Sequence, residues 1–90
     1  MKIEKEFTLL KIENKLRTLS DGTKQTYLIV SALDENLVPC NFFAFKDDVV
    51  KAILKDCTAA KPLEKVLIDF DLNYNGKGWN CNLDNMLFSY

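Results

Sequence analysis

An alternation constrains this chain more than any other feature. Residues 65–74 read KVLIDFDLNY, so Val66, Ile68, Phe70, Leu72 and Tyr74 alternate with Leu67, Asp69, Asp71 and Asn73. A period of two sustained over this length predicts a half-buried strand and argues against an amphipathic helix, whose apolar period is about 3.6. Asn75-Gly76-Lys77-Gly78 follows, a run that tolerates positive φ and predicts a turn. Residues 79–84, WNCNLD, then alternate again. A hairpin with one apolar face requires a core beneath it, and its register is fixed by that face.

Two further runs, QTYLIVSAL (25–33) and LVPCNFFAF (37–45), are rich in β-branched and aromatic residues. Asp34, Glu35 and Asn36 between them predict a three-residue hairpin loop, with Asn36 as its left-handed last residue. Pro39 lacks an N–H and belongs at an edge or bulge. Val49, Val50, Ile53, Leu54 and Cys57 form one helical stripe, which predicts a helix over 47–61. Asp47 suits its N-cap, Asp48 its positive start, and Pro62 its stop. Residues 3–16 fit either period: Ile3, Phe7 and Leu10 suit a helix, and Thr8, Leu10 and Ile12 a strand. A strand is expected, because two hairpins alone would leave open sheet edges. Ser20–Thr23 forms the first loop. Ninety residues make one domain, 1–90, with a modest core. The resulting order predicts an all-β fold: a five-stranded OB-fold Greek-key barrel with one α-helix between strands 3 and 4.

The span from Val38 to about Leu87 resembles the second half of bacterial and phage single-stranded DNA-binding proteins. The resemblance rests on NFFAFKDDVVKAI, a phenylalanine-ended strand running into a helix, and on the hairpin VLIDFDLNYNGKGWNCNL. The chain departs from the bacterial pattern in three places. The first strand lacks its glycine-bearing start. Leu37 and Val38 stand where a tryptophan opens the third strand. No acidic, proline- and glycine-rich tail follows before Tyr90. The resemblance implies a short phage or plasmid relative acting in DNA replication.

Phe42, Phe43 and Phe45 cannot all face one core. With a loop at 34–36, Leu33 faces Leu37, and Val30, Leu28 and Thr26 pair with Cys40, Phe42 and Ala44. The other face pairs Ile29 with Asn41, Tyr27 with Phe43 and Gln25 with Phe45. Phe42 therefore points in, while Phe43, Phe45 and Tyr27 point out on the face of strands 2 and 3, where OB-folds bind oligonucleotides. Exposed rings stack on unpaired bases at about 1–3 kcal/mol per base, without selecting sequence. Arg17, Lys24, Lys46 and Lys77 are the candidate phosphate contacts, and Asn41 and Gln25 the candidate base-edge contacts. Trp79 is a further candidate ring, although its alternation with Cys81 and Leu83 also fits the core. The expected partner is single-stranded DNA, with RNA as an alternative. Outward rings also suit a subunit interface, so a homodimer, a replication-protein partner or a purely protein-binding module is the competing expectation.

Other features point away from chemistry. There is no histidine, so no histidine triad or zinc–histidine site can form. No CxxC pair, phosphate-binding GxxxxGK[ST] loop or GxGxxG occurs. Asp69, Asp71 and Asp84 are expected on a solvated outer face of strands 4 and 5, which nucleic acid should avoid. Magnesium binding there is the less favoured reading. Lys51, Lys55 and Lys61 read as a solvated helix face, and Cys57 as core rather than nucleophile. No enzyme activity, cofactor or metal is expected. The net charge of −1 does not suggest a generic polyanion binder, but it leaves room for a local basic strip. Three widely spaced cysteines fit reduced thiols in a cytoplasmic protein. No apolar run reaches the ~20 residues of a membrane span, and MKIEKEFTLL lacks a signal-peptide core.

Overall fold

The computed structural model describes residues 1–57 (56 and 57 as backbone alone), 63–74 and 76–88. Five strands and a helix follow one another: β1 (Lys2–Thr18), β2 (Lys24–Leu33), β3 (Pro39–Ala44), α1 (Asp47–Cys57), β4 (Lys65–Tyr74) and β5 (Trp79–Leu87). The strands close in the order β1-β2-β3-β5-β4, antiparallel throughout except for the parallel β3–β5 contact, Phe43 to Asn82. This is the five-stranded barrel with one helix between its third and fourth strands, an OB-fold.

β1 settles the ambiguity of its sequence in favour of a long strand that serves two partners. Its first half pairs with β4 (Lys2 to Asp71 through Thr8 to Lys65) and its second with β2 (Thr8 to Leu33 through Thr18 to Lys24). A bulge between Leu9 and Lys11 lets it turn from one sheet wall to the other. After the bulge Ile12, Asn14 and Leu16 lie opposite Val30, Leu28 and Thr26; Ile12 packs against the core, while Asn14 and Leu16 are exposed. The following loop is held by Asp21, whose carboxylate accepts the Thr23 N–H at 2.9 Å and the Thr23 hydroxyl at 2.6 Å, and Gly22 supplies φ 89°.

The core is aromatic at its centre. Phe7, Phe42 and Phe70 form an edge-to-face triangle with centroids 5.0, 4.9 and 6.0 Å apart. Leu28, Val30, Val66 and Ile68 surround it, and Val50 and Ile53 of α1 pack against the same cluster. Cys40 and Cys81 are half-buried free thiols, and burial raises both pKa values, which keeps them protonated.

Two local expectations are corrected. The β2–β3 register differs by two residues: Leu33 meets Pro39, Val30 meets Phe42 and Leu28 meets Ala44. Asp34 is the cause. Its carboxylate accepts the N–H groups of Asn36 at 2.8 Å and Val38 at 2.9 Å, and its own N–H bonds to the Val38 carbonyl at 3.1 Å. The loop therefore runs from Asp34 to Val38, and its left-handed residue is Leu37 at φ 62°, not Asn36. Pro39 becomes the first residue of β3, where no ladder N–H is needed. At the helix start, the Lys46 carbonyl accepts the Val50 N–H at 2.9 Å, so Lys46 occupies the cap position and Asp47 the first turn. Trp79, which in the sequence fits either the core or a ligand contact, is 66% exposed, so the core alternative falls away. It leans on Tyr74 at 5.3 Å at the free end of the β4–β5 hairpin. The expected helix stop at Pro62, Lys61, the Cys57 side chain and Asn75 lie outside the described residues.

Candidate functional site

A two-residue change of register preserves every face, because side chains alternate with period two. Phe42 therefore points in, at 1% exposure, while Tyr27, Phe43 and Phe45 are half-buried on the outer surface. Same-face residues two apart on a strand lie roughly 6.6 Å from each other. Phe43 and Phe45 fit that spacing, with centroids 6.1 Å apart and planes 6° from parallel. Tyr27 continues the array against Phe45 at 5.4 Å and 27°. The three rings form one connected aromatic strip across β2 and β3.

Arg17 completes it from β1. Its guanidinium lies 4.6 Å from the Phe45 centroid, and its Nε donates to Gln25 Oε1 at 2.8 Å. Gln25 in turn donates from Nε2 to the Phe45 carbonyl at 2.9 Å. Both ends of this amide are therefore engaged, tying Arg17 to the backbone at Phe45. Asn41 shares the outer face, with its Oδ1 accepting the Ser31 hydroxyl at 2.9 Å.

The other expected cations are not gathered here. Lys24 belongs to the opposite face of the ribbon, beside Thr26, and lines a groove with Leu19, Asp47 and Lys51. Lys46 extends toward Asp84, 3.7 Å away. Lys77 stands at the exposed β4–β5 turn, and Trp79 lies on the face of β5 opposite Asn80 and Asn82.

Two cations that the sequence reasoning passed over do join the site. Lys11 and Lys15 lie opposite Ser31 and Tyr27, in line with Arg17 opposite Gln25. Their signal was present in KIENKLR, where Lys11, Glu13, Lys15 and Arg17 occupy alternate positions. Glu13 sits between the lysines at 2.8 and 3.2 Å, and their hydrogen bonds hold its carboxyl below the usual range. Beyond its bulge, the outer face of β1 thus carries three cations, Lys11, Lys15 and Arg17, against one acid, Glu13.

The far boundary is set by β5. Phe43 bridges to Asn82, and a shallow groove is lined by Phe43, Phe45, Asn80 and Asn82. The acids beyond it are partly neutralised. Asp71 is bound by the N-terminal ammonium at 2.8 Å, which lowers its pKa, and Asp84 by Lys2 at 2.8 Å. Farther along, Glu4 faces Asp69, and their shared hydrogen bond raises the Glu4 pKa.

The fold and the site together define an OB barrel with an aromatic, locally basic strip on its β2–β3 face. Among solved structures the chain is similar to the crystal structure of a mitochondrial single-stranded DNA-binding protein from S. cerevisiae, Rim1 (form 1). The TM-score is 0.65 over 98% of this chain and 94% of that one, at 9% identity, so the likeness is one of fold. No family model matches the chain, and no curated protein does.

Proposed function

We propose that this protein binds single-stranded DNA, without catalysis and largely without regard to sequence, by stacking bases on Tyr27, Phe43 and Phe45. The observation that carries the reading is the connected strip of three rings with Arg17 over its end. Unpaired bases present π-faces that such rings accept, whereas a duplex hides them. Lys11, Lys15 and Arg17 lie alongside, where a phosphate backbone would run. The fold shared with a single-stranded DNA-binding protein supports the same reading. Replication of a phage or plasmid is the setting proposed for it, and single-stranded RNA is a ligand of the same chemistry.

The test is an anisotropy titration of a labelled oligo-dT and of a duplex of equal length across a salt series. The expected result is preference for the single strand and a log K that falls with log salt at about −0.7 per phosphate contacted. Equal binding of both forms, or no binding at low salt by the folded protein, would contradict the proposal. Under those results the strip would be read as a protein-docking face.

A further inference from the structure

Two of the outer-face amides near the rings already have partners. Gln25 is engaged at both ends and Asn41 at its oxygen. Asn80 and Asn82 differ. They are half-buried in the groove beside Phe43 and Phe45, and among the described residues neither carboxamide has a hydrogen-bond partner. A half-buried amide keeps its demand for a donor and an acceptor, which water or a ligand must meet. A carboxamide presents one acceptor beside two donors, the pattern that pairs in bidentate fashion with the edge of a nucleobase. Stacking on the adjacent rings would bring a base edge to this wall. On the far side of Asn82 lies Asp71, already bound by the N-terminus, so the wall reads as polar rather than strongly anionic.

We propose that Asn80 and Asn82 read base edges in the Phe43–Phe45 groove, so that binding there carries a base preference superimposed on sequence-tolerant stacking. This rests on the function proposed above. The affected ligand class is single strands with intact bases; a bare sugar–phosphate chain lacks the recognised edges.

The experiment compares oligomers of about 15 nucleotides: dT, dA, dC and an abasic chain, bound to wild type, Asn82→Ala and the double variant Asn80→Ala/Asn82→Ala. Circular dichroism checks that each is folded. Wild type should separate its best and worst homopolymers by about tenfold, as one bidentate contact provides. The double variant should collapse that spread by losing affinity for the preferred homopolymer alone, leaving the abasic chain unchanged, with Asn82→Ala intermediate. An unchanged spread, or an equal loss on every homopolymer, would overturn the inference. Uniform homopolymer binding by wild type would overturn it as well, while leaving stacking intact. No binding of any oligomer by the folded protein would instead defeat the function on which it rests.

Discussion

Phe42 and Phe43 are neighbours in sequence, and the fold gives their removal opposite consequences. Phe42 is 1% exposed and meets Phe7 and Phe70 edge-on at 5.0 and 4.9 Å. Truncation to alanine leaves a cavity at the centre of the core, at about 3–5 kcal/mol. A chain of 90 residues has roughly 5–13 kcal/mol of stability in total, so Phe42→Ala removes a large part of it. Phe43 lies half-buried on the open face, where truncation creates no enclosed void. Fully burying a phenylalanine yields about 1.5–3 kcal/mol, so half-burial sets the folding cost of Phe43→Ala at about 1.5 kcal/mol or less. Its cost in single-strand affinity is larger: one lost stacking contact at about 1–3 kcal/mol weakens binding about 5- to 150-fold. Urea unfolding followed by far-ultraviolet circular dichroism gives the first quantity, and oligo-dT anisotropy the second. Phe42→Ala should lower the unfolding midpoint far more than Phe43→Ala, and Phe43→Ala should lose affinity while folded. Equal destabilisation by the two, or wild-type affinity in folded Phe43→Ala, would refute the assignment of faces to roles.

Three further outcomes are expected. Arg17→Ala should reduce the magnitude of the salt slope of oligo-dT binding by about 0.7, one phosphate contact, and Arg17→Lys should restore the slope but not all the affinity, because lysine lacks the planar group held over Phe45. Glu4→Gln should raise the melting temperature at neutral pH by relieving the contact with Asp69; because the Glu4 pKa is raised in the folded state, the penalty vanishes on acidification, and the gain should shrink below its ordinary value of 4.5. Asp34→Ala should cost about 1–2 kcal/mol in chemical denaturation by removing the acceptor of two loop N–H groups, and an unchanged midpoint would show that the loop does not depend on it.

What the sequence disclosed follows from how locally each feature is determined. The faces of Phe42, Phe43 and Phe45 depend only on strand alternation, so they survived an error of two in the register. Loop length was not legible, because it depends on Asp34 bonding two backbone N–H groups and on Leu37 adopting a left-handed φ that leucine seldom takes. Alternation gave Trp79 its side of the strand but not its burial, since the end of the hairpin leaves both Trp79 and Tyr74 exposed. The cations were the least legible part. Lys24 and Arg17 are both close to the first loop, yet one residue of parity sends them to opposite faces. Lys11 and Lys15 join the site only because the long β1 pairs along β2 and becomes a wall beside the rings, which the sequence of β1 alone does not reveal. Asn80 and Asn82 became visible only when the parallel bridge from Phe43 to Asn82 brought β5 beside the rings.

Photo-crosslinking of the protein to an oligo-dT carrying 5-iododeoxyuridine, read by mass spectrometry, tests the central claim most directly. Adducts on Phe43, Phe45 or Tyr27 are the result predicted. Efficient crosslinking confined to α1 or to the outer face of β4, with none of the three rings modified, would contradict it.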